Sequence, residues 1–208
     1  MDALLKLSRL IDALNERVGR ATSWLVLAAV LISSINAVVR KAFNMSSNAF
    51  LEIQWYLFAA VFLLAAGYTL LRQEHVRIDI ILGRFSKRTQ ITVEAVCLIV
   101  FLMPFCFAVI DLVWPLVIRA YNTSEMSSNA GGLIRWPVFA LVPVGFSLLV
   151  LQGFSEFIKR IAFLQGRIDD PTKKQQTKSA EEELAEFVRA QAEAAAAAKA
   201  GAAQGAAQ

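Results

Sequence analysis

The sequence predicts an all-α integral membrane protein. Four transmembrane helices are expected, with both termini cytoplasmic, an N-terminal amphipathic helix in the interface and a short interfacial segment between the second and third spans. Three observations lead there. Of 208 residues, 57% are hydrophobic and 18% charged, with a mean hydropathy of +0.52, whereas soluble domains hold about 45–50% apolar and about 25% charged residues. Four apolar runs can each reach the ~20 residues that cross ~30 Å of hydrocarbon. Finally, the basic residues alternate from one side of these runs to the other, as the positive-inside rule requires.

Residues 2–20 place Leu4, Leu7, Ile11, Leu14 and Val18 at helical spacing, with Lys6, Arg9, Asp12, Glu16 and Arg17 elsewhere. Such a helix is too charged to span and is expected to lie in the interface. The first span, residues 21–39, carries no charge and ends at Arg40-Lys41. It is too long for a cleaved signal and lacks a small-residue cleavage site. Within it, Ala29, Ser33 and Ala37 form a small-residue stripe beside Asn36, a pattern that lets helices approach closely. The second span, residues 49–71, holds only Glu52. The third, residues 91–118, holds Glu94 and Asp111, and the fourth, residues 137–158, holds Glu156.

Pro104 and Pro143 lie inside the third and fourth spans and free the carbonyls of Val100 and Phe139, so kinks are expected. Between the second and third spans, Ile78, Ile81, Leu82 and Phe85 follow helical spacing among Arg77, Arg84, Lys87 and Arg88. A short interfacial helix explains this, and the Val76, Ile78, Ile80 alternation leaves an extended segment open. Residues 1–165 thus make the membrane domain, and 166–208 an Ala/Glu/Lys/Gln-rich cytoplasmic tail that is either solvated or a weak docking helix.

Charge sets the expected orientation. The N-terminal arm, the second loop and the C-terminal flank together carry fifteen Lys and Arg; the other two loops carry Arg40, Lys41, Arg119 and Arg135. Trp24, Trp114 and Trp136 fall at the expected membrane ends, where amphipathic rings reside.

The same inventory restricts chemistry. His75 is the single histidine, and the two cysteines, Cys97 and Cys106, are nine apart in one span. At ~100° per residue they face opposite sides of a helix and cannot bridge. A bis-histidine haem needs two imidazoles, and zinc usually needs four ligands drawn largely from Cys and His. No Walker A, H-E-x-x-H or G-x-S-x-G motif is present. The basic charge belongs to membrane flanks, so nucleic acid is not implied as a partner. Glu52, Glu94 and Glu156 lie near helix ends and Asp111 is expected near the outer interface; partner contacts and local hydrogen bonds are preferred for these acids over a proton relay. The reading is a non-enzymatic membrane subunit without its own cofactor or metal site.

Two segments carry a more specific resemblance: N-A-F-L-E-I-Q-W-Y-L-F-A-A-V-F-L-L-A-A-G-Y-T-L-L-R-Q-E-H-V-R-I-D-I from Asn48, and E-M-S-S-N-A-G-G-L-I-R-W-P-V-F-A-L-V-P-V-G-F-S-L-L-V-L-Q-G from Glu125. Together they resemble the small, DctQ-like membrane subunit of tripartite ATP-independent periplasmic (TRAP) transporters. The resemblance covers roughly residues 1–165. It implies a scaffold in the bacterial inner membrane for a sodium-driven importer of an organic anion. A large many-helix subunit would bind substrate and Na+, a periplasmic solute-binding protein would deliver the solute, and lipids would surround both membrane subunits. On this resemblance Asn48, Glu52, Gln54 and Trp55 match the second-helix signature, and Arg72, His75, Arg77 and Asp79 the loop signature. These eight are candidates for the large-subunit interface. Glu125, Ser127, Trp136 and Pro137 are candidates for shaping the periplasmic loop. The sequence flavour is similar to branches labelled mannitol/chloroaromatic or 2-oxo acid. A haem-free anchor of a respiratory or redox complex and a self-sufficient small channel are the competing expectations.

Overall fold

The computed structural model describes residues 2–43, 48–73, 85–129 and 131–168. They form α1 (Asp2–Phe43), α2 (Asn48–Arg72), α3 (Lys87–Asn122) and α4 (Trp136–Leu164), each long and apolar enough to cross a membrane. The all-helical, four-span expectation is therefore met. Among the described residues the single β feature is an isolated antiparallel bridge, Met126 to Ile134, in the connection between α3 and α4. The expected interfacial segment falls largely on residues 74–84, and the tail on 169–208. Both lie outside the described residues.

The amphipathic arm and the first span are one helix. α1 runs for 42 residues, about 63 Å at ~1.5 Å per residue and twice the ~30 Å hydrocarbon thickness. Hydropathy changes near residue 20, but no proline interrupts the backbone there. The arm's inner face is also not its leucine face. Ser8, Ile11, Asn15, Gly19 and Thr22 are buried at a spacing of three to four, whereas Leu4, Leu7, Leu10 and Leu14 are exposed. Polar and small residues face the bundle, and leucines face outward as an apolar solvent demands.

α4 is the hub. It packs against α1, α2 and α3, and α1 also packs on α2, whereas α3 rests on α4. Much of the buried core is small: Ala29, Ala60, Ala95, Cys106, Ala120 and Ala162. Lipid is as apolar as leucine, so close backbone approach rather than leucine burial joins membrane helices. Gly145 of α4 shows the requirement: a Cβ there would sit 2.6 Å from the Leu63 carbonyl oxygen of α2. The large apolar side chains point outward, with Trp24 71%, Phe62 79% and Leu112 81% exposed.

The prolines are accommodated locally. Residues Leu98–Leu102 form a π-helical stretch, and the Met103 N–H donates to the Leu98 carbonyl, so the register widens just ahead of Pro104. Pro143 is buried in α4, and its carbonyl accepts from Ser147 Oγ at 2.6 Å. A third proline, Pro115, also lies inside α3.

Candidate functional site

Two polar clusters close the bundle, one at each end. The first gathers the N-terminal half of α1, the C-terminal ends of α2 and α4 and the start of α3. On α4, Gln152, Ser155, Glu156, Lys159 and Arg160 recur at three- and four-residue spacing, so they form one stripe. Arg160, only 4% exposed, donates Nη1 to Glu156 Oε2 at 2.6 Å, and Nε and Nη2 to Glu94 Oε2 of α3 at 3.1 and 3.0 Å. Lys159 pairs with Glu156 and, at 3.1 Å, with Asp12 Oδ2 of α1. The other Asp12 oxygen accepts from Ser155 Oγ at 2.6 Å and Gln152 Nε2 at 2.9 Å. One turn earlier on α1, the Ser8 and Ser155 hydroxyls meet at 2.7 Å. Beside them Arg72 of α2 donates to Glu16 of α1 at 2.8 Å and stacks over Tyr68, its guanidinium carbon 5.3 Å from the ring centroid. Each buried acid thus receives charged donors, the condition under which ionised groups persist in a low-dielectric interior. The arrangement ties all four helices together at this end.

The second cluster is built on Glu52, in the second turn of α2 and 5% exposed. Its carboxylate accepts from the Ser127 hydroxyl, from Asn129 Nδ2 at 2.6 Å and from the Leu133 backbone N–H at 2.7 Å. These three donors lie on the connection between α3 and α4. One helical turn on, the Tyr56 hydroxyl donates to the Ile134 carbonyl at 3.1 Å. The connection also holds itself: Ser127 N–H donates to Leu133 O and Arg135 N–H to Glu125 O, both at 2.9 Å, and Glu125 pairs with Arg135 at 3.2 Å. Tyr121 and Trp136 pack edge to face, 5.5 Å apart, where the connection leaves α3 and enters α4. Pro137 occupies the first turn of α4, where its missing N–H removes no helical bond.

The sequence candidates separate accordingly. Glu52 and Ser127 meet in one cluster, with Glu125, Trp136 and Pro137 around it. The Glu52 carboxylate is engaged within the chain, and so is the Arg72 guanidinium; both are candidates for the large-subunit interface. Trp55 is 71% exposed, Gln54 is half-buried and Asn48 is exposed. His75, Arg77 and Asp79 lie outside the described residues. Of the small-residue stripe, Ala29 is buried at 2% exposure, Asn36 is half-buried, and Ser33 and Ala37 are exposed, so full burial on this stripe is confined to Ala29.

Sequence reading missed Asp12, Gln152, Ser155, Lys159 and Arg160 as a unit, along with Tyr56 and Asn129. Lys159 and Arg160 had been read only as flanking positive charge. The detectable signal was their i+3 and i+4 spacing from Glu156.

Comparison with known proteins gives one match. The family model described as Tripartite ATP-independent periplasmic transporters, DctQ component, matches residues 29–163. No curated protein and no solved structure matches. The matched stretch holds Glu52 with its loop partners, and Glu94 with Glu156 and Arg160; Ser8, Asp12 and Glu16 precede it.

Proposed function

Because the chain belongs to the DctQ component family of the tripartite ATP-independent periplasmic transporters, we propose that it is the scaffold on which the large transport component is held in the membrane. Membership makes it the small component of such a transporter, a multi-pass protein of the bacterial inner membrane. The family is one of transporter components, not of enzymes, and implies association with the large membrane component and with a periplasmic binding protein.

One observation carries the scaffold reading. Polar side chains of four helices are bonded to one another across helices, in the Arg160–Glu156–Glu94 and Lys159–Asp12 pairs at one end and around Glu52 at the other. A chain that moved solute would need such groups facing a path; here they brace a frame. With both termini cytoplasmic, the Glu52-latched connection lies on the periplasmic side and offers a formed surface for binding-protein docking. Trp55 and Gln54 remain the α2 positions proposed to contact the large component. An organic anion as solute, the sodium gradient as driving force and Na+ binding in the large component follow from the resemblance.

Affinity purification of the tagged chain from native membranes in mild detergent tests the partner. A large many-helix protein at near-equal amount is expected; a flavoprotein or iron–sulfur partner in its place overturns the reading. In proteoliposomes, uptake of the solute carried by the cognate binding protein should need this chain, the large component and an inward sodium gradient together. Flux through this chain alone would defeat the scaffold.

A further inference from the structure

Asp111 sets one face of α3 apart. Glu94 is bonded to Arg160, Glu156 to Arg160 and Lys159, and Glu52 to the α3–α4 connection. Asp111, by contrast, is exposed, and its carboxylate has no hydrogen bond or ion pair among the described residues. Its depth makes that costly. Arg119, whose side chain is 72% exposed beside Glu125, marks the outer end of the apolar part of α3. Asp111 lies eight residues deeper, about 12 Å along the axis, on a helix whose other polar anchor, Glu94, is seventeen residues further in. With Arg119 taken as the outer boundary, Asp111 falls inside the ~30 Å of hydrocarbon, with Trp114 between it and that boundary. An ionised carboxylate held there against lipid tails is strongly disfavoured.

The face offers acceptors. Pro115 stands four residues on within the same helix and has no N–H to give the Asp111 backbone carbonyl. The exposed rings of Phe107 and Trp114 flank Asp111 on the same face. Trp114 also borders an apolar groove between α3 and α4, about 560 Å³ in volume, lined by Ile110 and Ile118 on one side and Ala140, Pro143 and Val144 on the other. Since α3 rests on α4, this face points out of the bundle.

We propose that this face of α3 receives a transmembrane helix of the large component, and that the helix places an arginine or lysine on Asp111 while an apolar side chain fills the adjoining groove. The inference rests on the scaffold reading and names its contact surface. A basic partner is the one that lets the carboxylate stay ionised, because a neutral donor leaves its charge uncompensated in hydrocarbon. Calcium or magnesium takes about six or more oxygens, more than the face presents.

The test uses the full chain and large component, co-expressed in native membranes and purified through a tag on the small chain. Asp111→Ala and Asp111→Lys should each lower recovery of the large component at least fivefold, with Asp111→Glu near wild type. Membrane level and monodispersity of each variant are measured alongside. A photocrosslinking amino acid at Leu112, which leaves Asp111 intact, should join the two components on illumination. If wild type fails to recover the large component, the scaffold reading itself falls. If wild type recovers it, three outcomes overturn the Asp111 face alone: both variants recovering it equally well, crosslinks to lipid only, or crosslinks to a second copy of this chain. Should a variant fail to accumulate, the Leu112 crosslink decides.

Discussion

At the scale of single residues, a buried charge matters through the partners it leaves behind. Arg160 compensates Glu156, which is 1% exposed, and also holds Glu94. Arg160→Ala removes a buried guanidinium from both carboxylates, leaving Glu156 with Lys159, and should destabilise the purified protein by about 3 kcal/mol, read as a lowered thermal midpoint in detergent. Replacing Arg160 and Glu156 together by methionine should cost less than Arg160→Ala, because the buried carboxylate leaves along with its guanidinium partner. Glu52 acts differently, since its acceptors hold a backbone. In Glu52→Ala the Leu133 N–H, Ser127 and Asn129 lose their common partner, and amide exchange over residues 127–133 should accelerate about tenfold or more. Unchanged exchange there would show that the connection holds its shape without the carboxylate. Trp55→Ala removes an exposed ring and should leave that exchange and the thermal midpoint as they are.

Among the elements, helix existence was legible and helix association was not. Apolar runs reveal α2, α3 and α4 because a spanning segment must satisfy its own backbone, whatever its neighbours. The division of α1 near residue 20 followed a change in hydropathy, which decides where a helix prefers to sit; continuity depends on the backbone, and α1 passes unbroken. Pro104 announced a break whose form, a π-helical stretch at Leu98–Leu102, depends on how the following turns pack. Gly145 is silent in the sequence yet sets the distance between α2 and α4. Gly145→Ala would bring its methyl against the Leu63 carbonyl and should cost about 1–3 kcal/mol by forcing the helices apart, visible as a lower thermal midpoint with unchanged helical content.

For the molecule as a whole, an even number of crossings and the basic flanks are the grounds for proposing that both ends of the membrane domain are cytoplasmic. A cysteine at the exposed Ser128, in a background with Cys97 and Cys106 replaced, should react with a membrane-impermeant maleimide from the periplasm of intact cells. Labelling only after the inner membrane is broken would reverse the orientation, and with it the proposed docking side.

By itself the sequence determined the membrane setting, the number of spans, the expected orientation and, through the segments from Asn48 and Glu125, the family. Each is written in a contiguous run of residues, in its hydropathy, flanking charge or order. Only the tertiary structure decided what the polar groups do: that Glu52 latches the connection, that Asp12 and Glu94 meet one stripe of α4, and that Asp111 is left facing outward. These pairings join residues from about 65 to 150 positions apart and depend on the rotation and height of one helix against another. Composition does not encode those two quantities, and close packing of small residues against backbone settles them.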